Sequence, residues 1–522
     1  MNKLLCRLWG YVLQPRAIPW VVLGSGIWLG CLSWIRQLHL PDEGRYVGVA
    51  FDMLRSDSFW VPLLNGMPYF HKPPLFYWLN EISFMIFGVH EWSARVPSLM
   101  AAWLSALALY FFMRKHRGVE LATLSLVVLI TMPYFYGGAQ YANLDMLVAG
   151  MISLTVLAGA ETVLRSENSQ PYRVMSMAAA ACAALAILSK GLIGLVLPGG
   201  VLFFWLILTG RWRKLGVLLW PPAIIVFLMV SVPWFWYMQH KFPGFFNYYF
   251  IEQQYDRFVS QTFNNPQPFW FYIPVLFGMT LPWTFVLPWL FRRDFWKSDS
   301  TTLNLLMLIW FAVIFVFFSI PASKLIGYAL PALIPMAALV AAVLHRGIQG
   351  AQSTKVMKIV SGFVVTSVVV CFVAIGIFWF VQRDSGEETG RRIQAEFKSG
   401  DTMVYLMNYP FDLAFYAKSA KPAWVVENWP GLVKRDNWRN ELAEAAEFDP
   451  ITGKQLLINI DGLMPGMCKT DNQVFWVRGD HQMPIYWAFL KDRPPYFVQE
   501  NQGTTWKVVT DSEFKAKYCQ AS

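Results

Sequence analysis

The chain has 522 residues, of which 56% are hydrophobic and only 15% are charged, and it contains 25 tryptophans and 41 phenylalanines. With a mean hydropathy of +0.39, this composition excludes a soluble globular domain and predicts a multi-pass membrane protein. The formal net charge of +10 comes largely from basic clusters at the ends of apolar segments. It therefore does not indicate a nucleic-acid-binding protein.

Apolar segments of membrane-spanning length recur along the first three quarters of the chain, and they predict about 11 to 13 transmembrane helices. The first of them follows Lys3, Arg7 and Arg16 without a small-residue cleavage site, so it is expected to be a retained span. The segments lie near residues 17–36, 96–113, 119–136, 145–160, 174–189, 191–209, 215–237, 269–291, 302–320, 325–344 and 358–381.

The positions of lysine and arginine predict the orientation of these spans. If every basic cluster faces the cytoplasm, the segment Pro74–Val89 cannot cross the membrane and is expected to lie on its outer surface. Loops 37–95 and 238–268 and the region after residue 381 are then periplasmic, as in a bacterial inner-membrane protein. The clusters are Arg114, Lys115 and Arg117; Arg211, Arg213 and Lys214; Arg292, Arg293 and Lys297; and Arg346, Lys355 and Lys358.

The stretch Pro41–Trp78 concentrates charged and aromatic residues in a chain that has few charges. Asp42 and Glu43 stand at the start of a helix expected to run to Leu54, where a carboxylate is favoured by exposed amides and by the helix dipole. A membrane-interface helix with solvated charges and an aromatic belt is the alternative interpretation.

Three motifs in this stretch, DEGRY, LNG and YFHKPPL, resemble those of the bacterial polyprenyl-phosphate-sugar glycosyltransferases of the GT-C type. That group includes lipid A aminoarabinose transferases and relatives of the protein O-mannosyltransferases. The similar spacing extends to about residue 340, and the last third matches in layout only. The resemblance implies a mainly α-helical GT-C membrane domain at 1–381 and a small periplasmic α/β domain at 382–522.

The resemblance also implies an undecaprenyl-phosphate-type sugar donor and a periplasmic acceptor, with lipid A phosphate or another envelope glycan as the first choice. Asp42 is the predicted base that accepts the proton of an acceptor hydroxyl. Glu43 and Asp145 are the other candidate catalytic acids. Asp145, at the start of a predicted span, could instead be a helix cap.

Four residues are predicted to meet the donor phosphate: Lys72, Arg257, Lys324 and Tyr328. Arginine and lysine both bind phosphate, arginine through a planar fork and lysine as a point charge. Lys324 and Tyr328 are four residues apart and are expected on one helical face. The alternatives are an Arg257 paired with a nearby acid, and a Lys324 and Tyr328 that merely occupy the headgroup belt.

His71 stands where relatives usually carry glutamate, and Glu252 lies in the later loop where relatives often carry histidine. If the two loops meet, His71 and Glu252 could bind a divalent ion or simply pair. With seven histidines in the whole chain, a catalytic metal held by several histidines is not expected. No cofactor is otherwise predicted.

The region after Gln382 has short alternating runs that predict strands in TMVYLM, FDLAFYA, AWVVEN, QLLINI, QVFWVRG and TWKVVT. Helices are expected near Asn437–Glu447 and Ser512–Tyr518. Cys468 and Cys519 both fall in this exported region, where a disulfide could persist.

The main functional hypothesis is an inverting membrane glycosyltransferase that transfers a hexosyl or pentosyl group. A protein O-mannosyltransferase-like enzyme is an alternative within that class. A transporter or flippase for a lipid-linked sugar is a second class, but it would place charges in mid-span, where they are scarce here. A membrane scaffold is a third, and it would not require the charged loop.

Overall fold

The computed structural model describes residues 9–256, 266–296, 301–350, 353–381, 385–430, 437–499 and 503–519. Internal contacts divide the chain into two units. Unit 1 comprises residues 1–35 and 95–378, and unit 2 comprises residues 36–94 and 379–522. Almost all of loop 37–95 is therefore grouped with the C-terminal residues and not with the helices that flank it in sequence. The predicted division into 1–381 and 382–522 stays a prediction.

Unit 1 is helical because its apolar runs satisfy their backbone groups internally, as a membrane requires. Short 3₁₀ segments at Trp283–Phe291 and Ile326–Ala332 and a π-helix at Asn247–Asp256 interrupt it. Its helices, numbered with those of unit 2 in chain order, are α1 (Ile18–Gly30), α4 (Glu91–Arg117), α5 (Val119–Thr131), α6 (Pro133–Ala139), α7 (Leu144–Glu167), α8 (Arg173–Lys190), α9 (Ile193–Leu208), α10 (Leu215–Leu218), α11 (Pro221–Lys241), α12 (Tyr272–Met279), α13 (Thr301–Ser319), α14 (Leu333–Gln349) and α15 (Ser353–Val381).

Seven helices among the described residues are long and apolar enough to cross a membrane, or eight if the bent pair α5–α6 is one span. The protein is thus a multi-pass membrane protein, as predicted. Two predicted spans are shorter helices, α1 with 13 residues and α9 with 16. The segment predicted near 269–291 is divided: α12 gives way to a 3₁₀ segment, where Pro282 and Pro288 remove backbone donors.

Two of the basic clusters meet acidic side chains at the C-terminal end of α7. His116 Nε2 lies 2.6 Å from Glu161 Oε2, and Lys115 pairs with the same carboxylate. Arg211 of the next cluster lies 3.0 Å from Glu167. Asp145 is in the first turn of the same helix. At 1.5 Å per residue it lies about 33 Å from Glu167 along the helix axis. That distance is close to the hydrocarbon thickness of a membrane.

Unit 2 joins the charged loop to an α/β lobe. The interface segment predicted at Pro74–Val89 is the apolar helix α3, which is too short for a span. The elements are α2 (Asp42–Arg55), β1 (Leu63–Leu64), β2 (Met67–Pro68), α3 (Leu75–Phe87), α16 (Glu387–Glu396), β3 (Thr402–Leu406), α17 (Leu413–Ala417), β4 (Trp424–Glu427), α18 (Trp438–Phe448), α19 (Pro450–Leu456), β5 (Leu457–Asn459), α20 (Leu463–Cys468), β6 (Val474–Gly479), α21 (Ala488–Lys491), β7 (Phe497–Gln499), β8 (Gly503–Val509) and α22 (Ser512–Tyr518).

The lobe is built on a six-stranded sheet with the order β5-β4-β3-β6-β8-β7. Strands β5, β4, β3 and β6 are parallel, and β8 pairs antiparallel with β6 and β7. Five of the six predicted strands are present. The strand predicted at FDLAFYA is wrong, because Leu413–Ala417 is a helix whose apolar residues are buried on several sides. Cys468 and Cys519 form a disulfide.

Two glycines allow α2 to pack directly on the chain that follows β3. A β-carbon at Gly48 would lie 2.8 Å from the carbonyl oxygen of Phe411, and one at Gly44 would lie 3.4 Å from the β-carbons of Phe411 and Asp412. Because these glycines are four apart, they share one face of α2. The helix that begins at Asp42 is therefore fixed to the α/β lobe by close backbone contact.

Candidate active site

The first turn of α2 carries two adjacent acids with different environments. Glu43 is fully buried, and its carboxylate accepts two bonds from Arg36, at 2.6 and 3.1 Å, and one from the His39 amide at 2.8 Å. Asp42 keeps 38% of its side chain exposed and pairs with Arg45 at 2.8 Å. Pro41 occupies the N-cap position, so Asp42 does not cap the helix. Glu43 therefore fixes the loop, and Asp42 is the acid that remains accessible.

Arg45 links the start of α2 to α18. One guanidinium nitrogen lies 2.6 Å from Glu441 Oε1, and the other carboxylate oxygen accepts the Tyr69 hydroxyl at 2.9 Å. Burial disfavours the charge of Arg45, but Glu441 outweighs it together with Asp42 and nearby tyrosines, so the pKa of Arg45 is raised. The cation next to Asp42 thus stays charged and holds that carboxylate in place.

His71 and Lys72 follow the small β1–β2 hairpin in the same unit. His71 is buried, stacks on Tyr69 with ring centroids 4.6 Å apart, and lies 2.9 Å from Glu444 through Nε2. Lys72, the adjacent residue, is half-buried. The predicted phosphate contact of Lys72 stays a prediction.

His71 and Glu252, the two predicted metal ligands, each bond to another side chain. His71 is bonded to Glu444, and Glu252, which belongs to unit 1, accepts a bond from Asn247 at 3.3 Å. No cluster of three or more histidine, cysteine or acidic residues suited to a metal occurs in the described ranges. The metal role of His71 and Glu252 stays a prediction, and nothing in the chemistry proposed below depends on it.

In unit 1, Asp145 forms an ion pair with Lys190, at the C-terminal end of α8. The Lys190 ammonium also lies 4.2 Å from the centre of the Tyr328 ring. Asn143 caps α7 by accepting the Asp145 amide at 2.8 Å, so the cap predicted for Asp145 is provided by Asn143 instead. Asp145, Lys190 and Tyr328 thus form one charged cluster at a single end of three membrane segments.

Gly327 allows the 3₁₀ segment to approach this cluster. A β-carbon there would lie 2.1 Å from Asp145 Oδ2, so no other residue fits without displacing the carboxylate. The Tyr134 hydroxyl donates to the carbonyl of neighbouring Ile326. The sequence analysis did not identify Lys190 as the partner of Asp145. One signal was available in the sequence. Lys190 directly follows the predicted span 174–189 and precedes Gly191, and the span before that one begins with Asp145.

Lys324 and Tyr328 are not on one helical face, because Lys324 precedes the 3₁₀ segment that carries Tyr328. The Lys324 ammonium donates to the carbonyls of Gln267, at 3.0 Å, and Pro321. Of these two residues, it is Tyr328 whose ring contacts the Lys190 ammonium of the Asp145–Lys190 pair. The phosphate roles predicted for Lys324 and Tyr328 are therefore separate proposals.

Arg257 lies outside the described residues. The π-helix Asn247–Asp256 leads up to it, and such helices occur frequently at functional sites. This π-helix packs on the turn after Lys190: a β-carbon at Gly191, where φ is +93°, would meet Gln254 at 2.6 Å and the Tyr249 hydroxyl at 2.7 Å. The segment before Arg257 is thus held at the Lys190 end of unit 1.

Comparison with known proteins agrees with the sequence resemblance. Residues 38–249 match the family described as dolichyl-phosphate-mannose-protein mannosyltransferase. The undecaprenyl phosphate-alpha-4-amino-4-deoxy-L-arabinose arabinosyl transferase of Enterobacter sp. (strain 638) is 33% identical over 312 residues, 59% of this chain and 55% of that protein. The protein of the same name from Erwinia tasmaniensis is 30% identical over 321 residues, 60% of this chain and 56% of that one. The chain therefore spans little more than half the length of these curated relatives.

The fold itself is similar to a solved structure over almost its full length. ArnT from Cupriavidus metallidurans bound to undecaprenyl phosphate superposes with a TM-score of 0.78 and 21% identity, covering 95% of this chain and 98% of that one. This similarity confirms the predicted GT-C-like membrane fold with a small C-terminal α/β region. The similarity to lipid A aminoarabinose transferases predicted from the sequence is confirmed as well.

Proposed function

We propose that this protein is an integral-membrane glycosyltransferase that moves a sugar from undecaprenyl phosphate to an acceptor at the periplasmic face of a bacterial inner membrane. The observation that carries the proposal is the accessible Asp42 carboxylate, held between a fully buried Glu43–Arg36 pair and a charged Arg45. The arabinosyl transferase activity named for the curated relatives and the undecaprenyl phosphate named for the solved relative support the donor class.

In the proposed reaction, Asp42 accepts the proton of an acceptor hydroxyl as that oxygen attacks the anomeric carbon. The bond from the anomeric carbon to the phosphate oxygen breaks, and its electron pair leaves with the lipid phosphate. Attack opposite to the leaving group inverts the anomeric configuration. If the acceptor is itself a phosphate, its oxygen is already anionic, and Asp42 orients the acceptor through Arg45.

The leaving phosphate gains negative charge and requires cations near it. Lys72 and Arg257 are the proposed ligands, because charge-assisted bonds from lysine and arginine to phosphate are among the strongest in proteins. Lys190 is the best-placed cation described in unit 1, since Asp145 and the Tyr328 ring hold it at a span end. Tyr328 and Lys324 would line the same end of the unit.

The proposed acceptor is lipid A phosphate or another envelope glycan, as the resemblance of the DEGRY, LNG and YFHKPPL motifs to lipid A aminoarabinose transferases favours. The match of residues 38–249 to a protein mannosyltransferase family favours a protein acceptor as the second candidate. In either case the basic clusters gathered at the Glu161 end of α7 are assigned to the cytoplasm, and Asp145 to the periplasmic end.

Mass spectrometry of lipid A and of total glycans and glycoproteins, from cells with and without the protein, tests this proposal. A lipid A species heavier by one sugar, present only in cells that contain the protein, is the expected result. A modified protein instead of lipid A would select the second acceptor. Identical glycans and lipid A in both strains would contradict the proposed activity.

A further inference from the structure

The α/β lobe contains a cavity of about 420 Å³, a size typical of small-molecule sites. It lies where the strand order of the sheet reverses: the chain passes from β3 to β4 and β5 on one side, then returns to place β6 on the other side of β3. Residues Asn408–Leu413 follow β3, and Arg478 is near the end of β6; both line the cavity. In open α/β sheets, ligands bind in the crevice at the carboxyl ends of strands at such a switch point.

A buried carboxyl group lies in the wall of this cavity. Asp412 is fully buried, and its Oδ2 accepts the Gly386 amide at 2.8 Å and the Ser385 hydroxyl at 3.0 Å. Its other oxygen, Oδ1, is buried and makes no hydrogen bond within the described part of the chain. Leaving a buried acceptor unsatisfied is costly, so a ligand that donates a hydrogen bond at Oδ1 would be stabilised.

A buried cation faces the same cavity. Arg478 donates to the Gly503 carbonyl and the Thr505 hydroxyl, both at 3.1 Å, and to Gln499 at 3.3 Å. Burial disfavours its charge and lowers its pKa to about 10, with Asp412 opposing the shift. At neutral pH the cavity therefore pairs one carboxylate with one guanidinium and has little net charge.

The remaining lining is mostly aromatic and aliphatic. Tyr409, Phe411 and Trp438 supply flat apolar surfaces, and Leu40 and Pro41 come from the loop immediately before Asp42. Apolar rings with a few placed polar groups are typical of specific ligand sites. A ligand in this cavity needs an apolar face for the rings and both donor and acceptor groups for Asp412 and Arg478, without a strong charge of its own.

We propose that this cavity binds an uncharged saccharide ring. Sugar hydroxyls donate to a carboxylate and accept from a guanidinium, while the C–H faces of the ring pack on aromatic side chains. Phosphate would be repelled by Asp412, and a purely apolar chain would leave Oδ1 unpaired. The proposal rests on the proposed function only in giving the bound ring a role: Pro41, which lines the cavity, directly precedes Asp42, so the bound ring would be a sugar of the acceptor glycan.

The test is ligand binding to the full-length protein, purified in a detergent without a sugar headgroup, such as lauryldimethylamine oxide. Saturation-transfer NMR with methyl β-D-glucopyranoside and with cellobiose is compared for wild type, Asp412→Asn and Trp438→Ala. Asparagine retains an oxygen for the Gly386 amide but replaces the unpaired acceptor by a donor. The matched control is Asp401→Asn, another buried carboxylate, which accepts the Trp476 indole at 2.8 Å and does not line the cavity.

Saccharide binding to wild type, about 10- to 100-fold weaker in Asp412→Asn, clearly weaker in Trp438→Ala and retained in Asp401→Asn, is the expected result. If Asp412→Asn does not fold, saccharide binding by Trp438→Ala tests the proposal instead. No binding to wild type, equal binding to the cavity variants, or displacement by inorganic phosphate would overturn the proposal. Binding is read without the lipid donor, so a protein that transfers sugar but binds no free saccharide disproves only this inference. The reverse result disproves only the transferase proposal.

Discussion

Glu43 and Arg36 form a buried two-bond ion pair, with Nη1–Oε2 and Nη2–Oε1 distances of 2.6 and 3.1 Å, directly beside the accessible Asp42. Glu43 thus secures the loop, whereas the Asp42 carboxylate remains accessible. Removing one partner of a buried pair leaves the other charge buried and unpaired. This lowers the free energy of unfolding far more than removing one partner of an exposed pair.

Glu43→Gln is therefore expected to destabilise the protein by about 3–5 kcal/mol, measured by thermal or urea unfolding of the detergent-purified protein. Glu388→Gln, which removes an exposed partner of Arg392, is the control and should cost less than about 1 kcal/mol. Equal small effects for both variants would show that the Glu43–Arg36 pair does not anchor the loop.

Gly48→Ala should destabilise unit 2 even though alanine favours helices more than glycine does. The new methyl group would lie 2.8 Å from the Phe411 carbonyl oxygen, and overpacking of this kind costs about 1–3 kcal/mol. Gly362→Ala, in α15 where nothing lies within 4 Å of the added carbon, should be neutral or stabilising by up to about 1 kcal/mol. The melting temperatures of the two variants are compared. A higher melting temperature for Gly48→Ala than for wild type would contradict the close contact of α2 with the lobe.

Asp412 should make stability depend on pH. Burial raises the pKa of its carboxyl group from 3.8 to about 6, against the opposing effects of the Gly386 amide, the Ser385 hydroxyl and Arg478. Between these values the folded protein holds a proton that the unfolded chain has lost. The free energy of unfolding therefore falls as the pH rises through this window, by up to about 3 kcal/mol.

Asparagine does not titrate, so the melting temperature of wild type relative to Asp412→Asn should decrease from about pH 4 to about pH 6. Asp401→Asn provides the control for general pH effects. A constant difference between wild type and Asp412→Asn across that range would contradict the raised pKa.

Lys72→Ala and Arg257→Ala should each lower sugar transfer by about 30- to 1000-fold, since each would remove a charge-assisted contact to the leaving phosphate worth about 2–4 kcal/mol. Initial rates of the purified variants at several donor concentrations measure the loss. Lys398→Ala, an exposed lysine of the lobe, is the control. Rates within threefold of wild type for both variants would remove these residues from the phosphate site.

Much of this architecture follows from sequence periodicity, because long apolar helices and short alternating strands have strong local signals. The membrane helices and five strands of the sheet were predictable in that way, whereas the Cys468–Cys519 disulfide was only a possibility indicated by the exported location of both cysteines. FDLAFYA was mistaken for a strand because its short apolar run is buried as a helix, and run length alone does not separate the two structures. Proline positions explain why the segment predicted near 269–291 is divided between a short helix and a 3₁₀ segment.

The candidate site was less predictable, since its contacts join residues far apart in the chain. Asp42 and Lys72 were singled out because they stand in the charged motifs that resemble those of the glycosyltransferases, and Asp145 because it begins a predicted span. The assignment of Glu43 to an anchoring role, the Lys190 partner of Asp145 and the Arg45–Glu441 link depend on tertiary packing. The cavity at β3 and β6 depends on strand order, which no local pattern encodes.

The central claim is that Asp42 is a catalytic carboxylate in transfer from a lipid phosphate. Sugar transfer from an undecaprenyl-phosphate-linked sugar to a hydroxyl acceptor, by purified wild-type and Asp42→Asn proteins of equal thermal stability, tests it most directly. We expect transfer by wild type and a rate about 10²- to 10⁴-fold lower for Asp42→Asn with a hydroxyl acceptor. Full activity of Asp42→Asn, or no transfer by wild type to lipid A, other glycans or proteins, would contradict it.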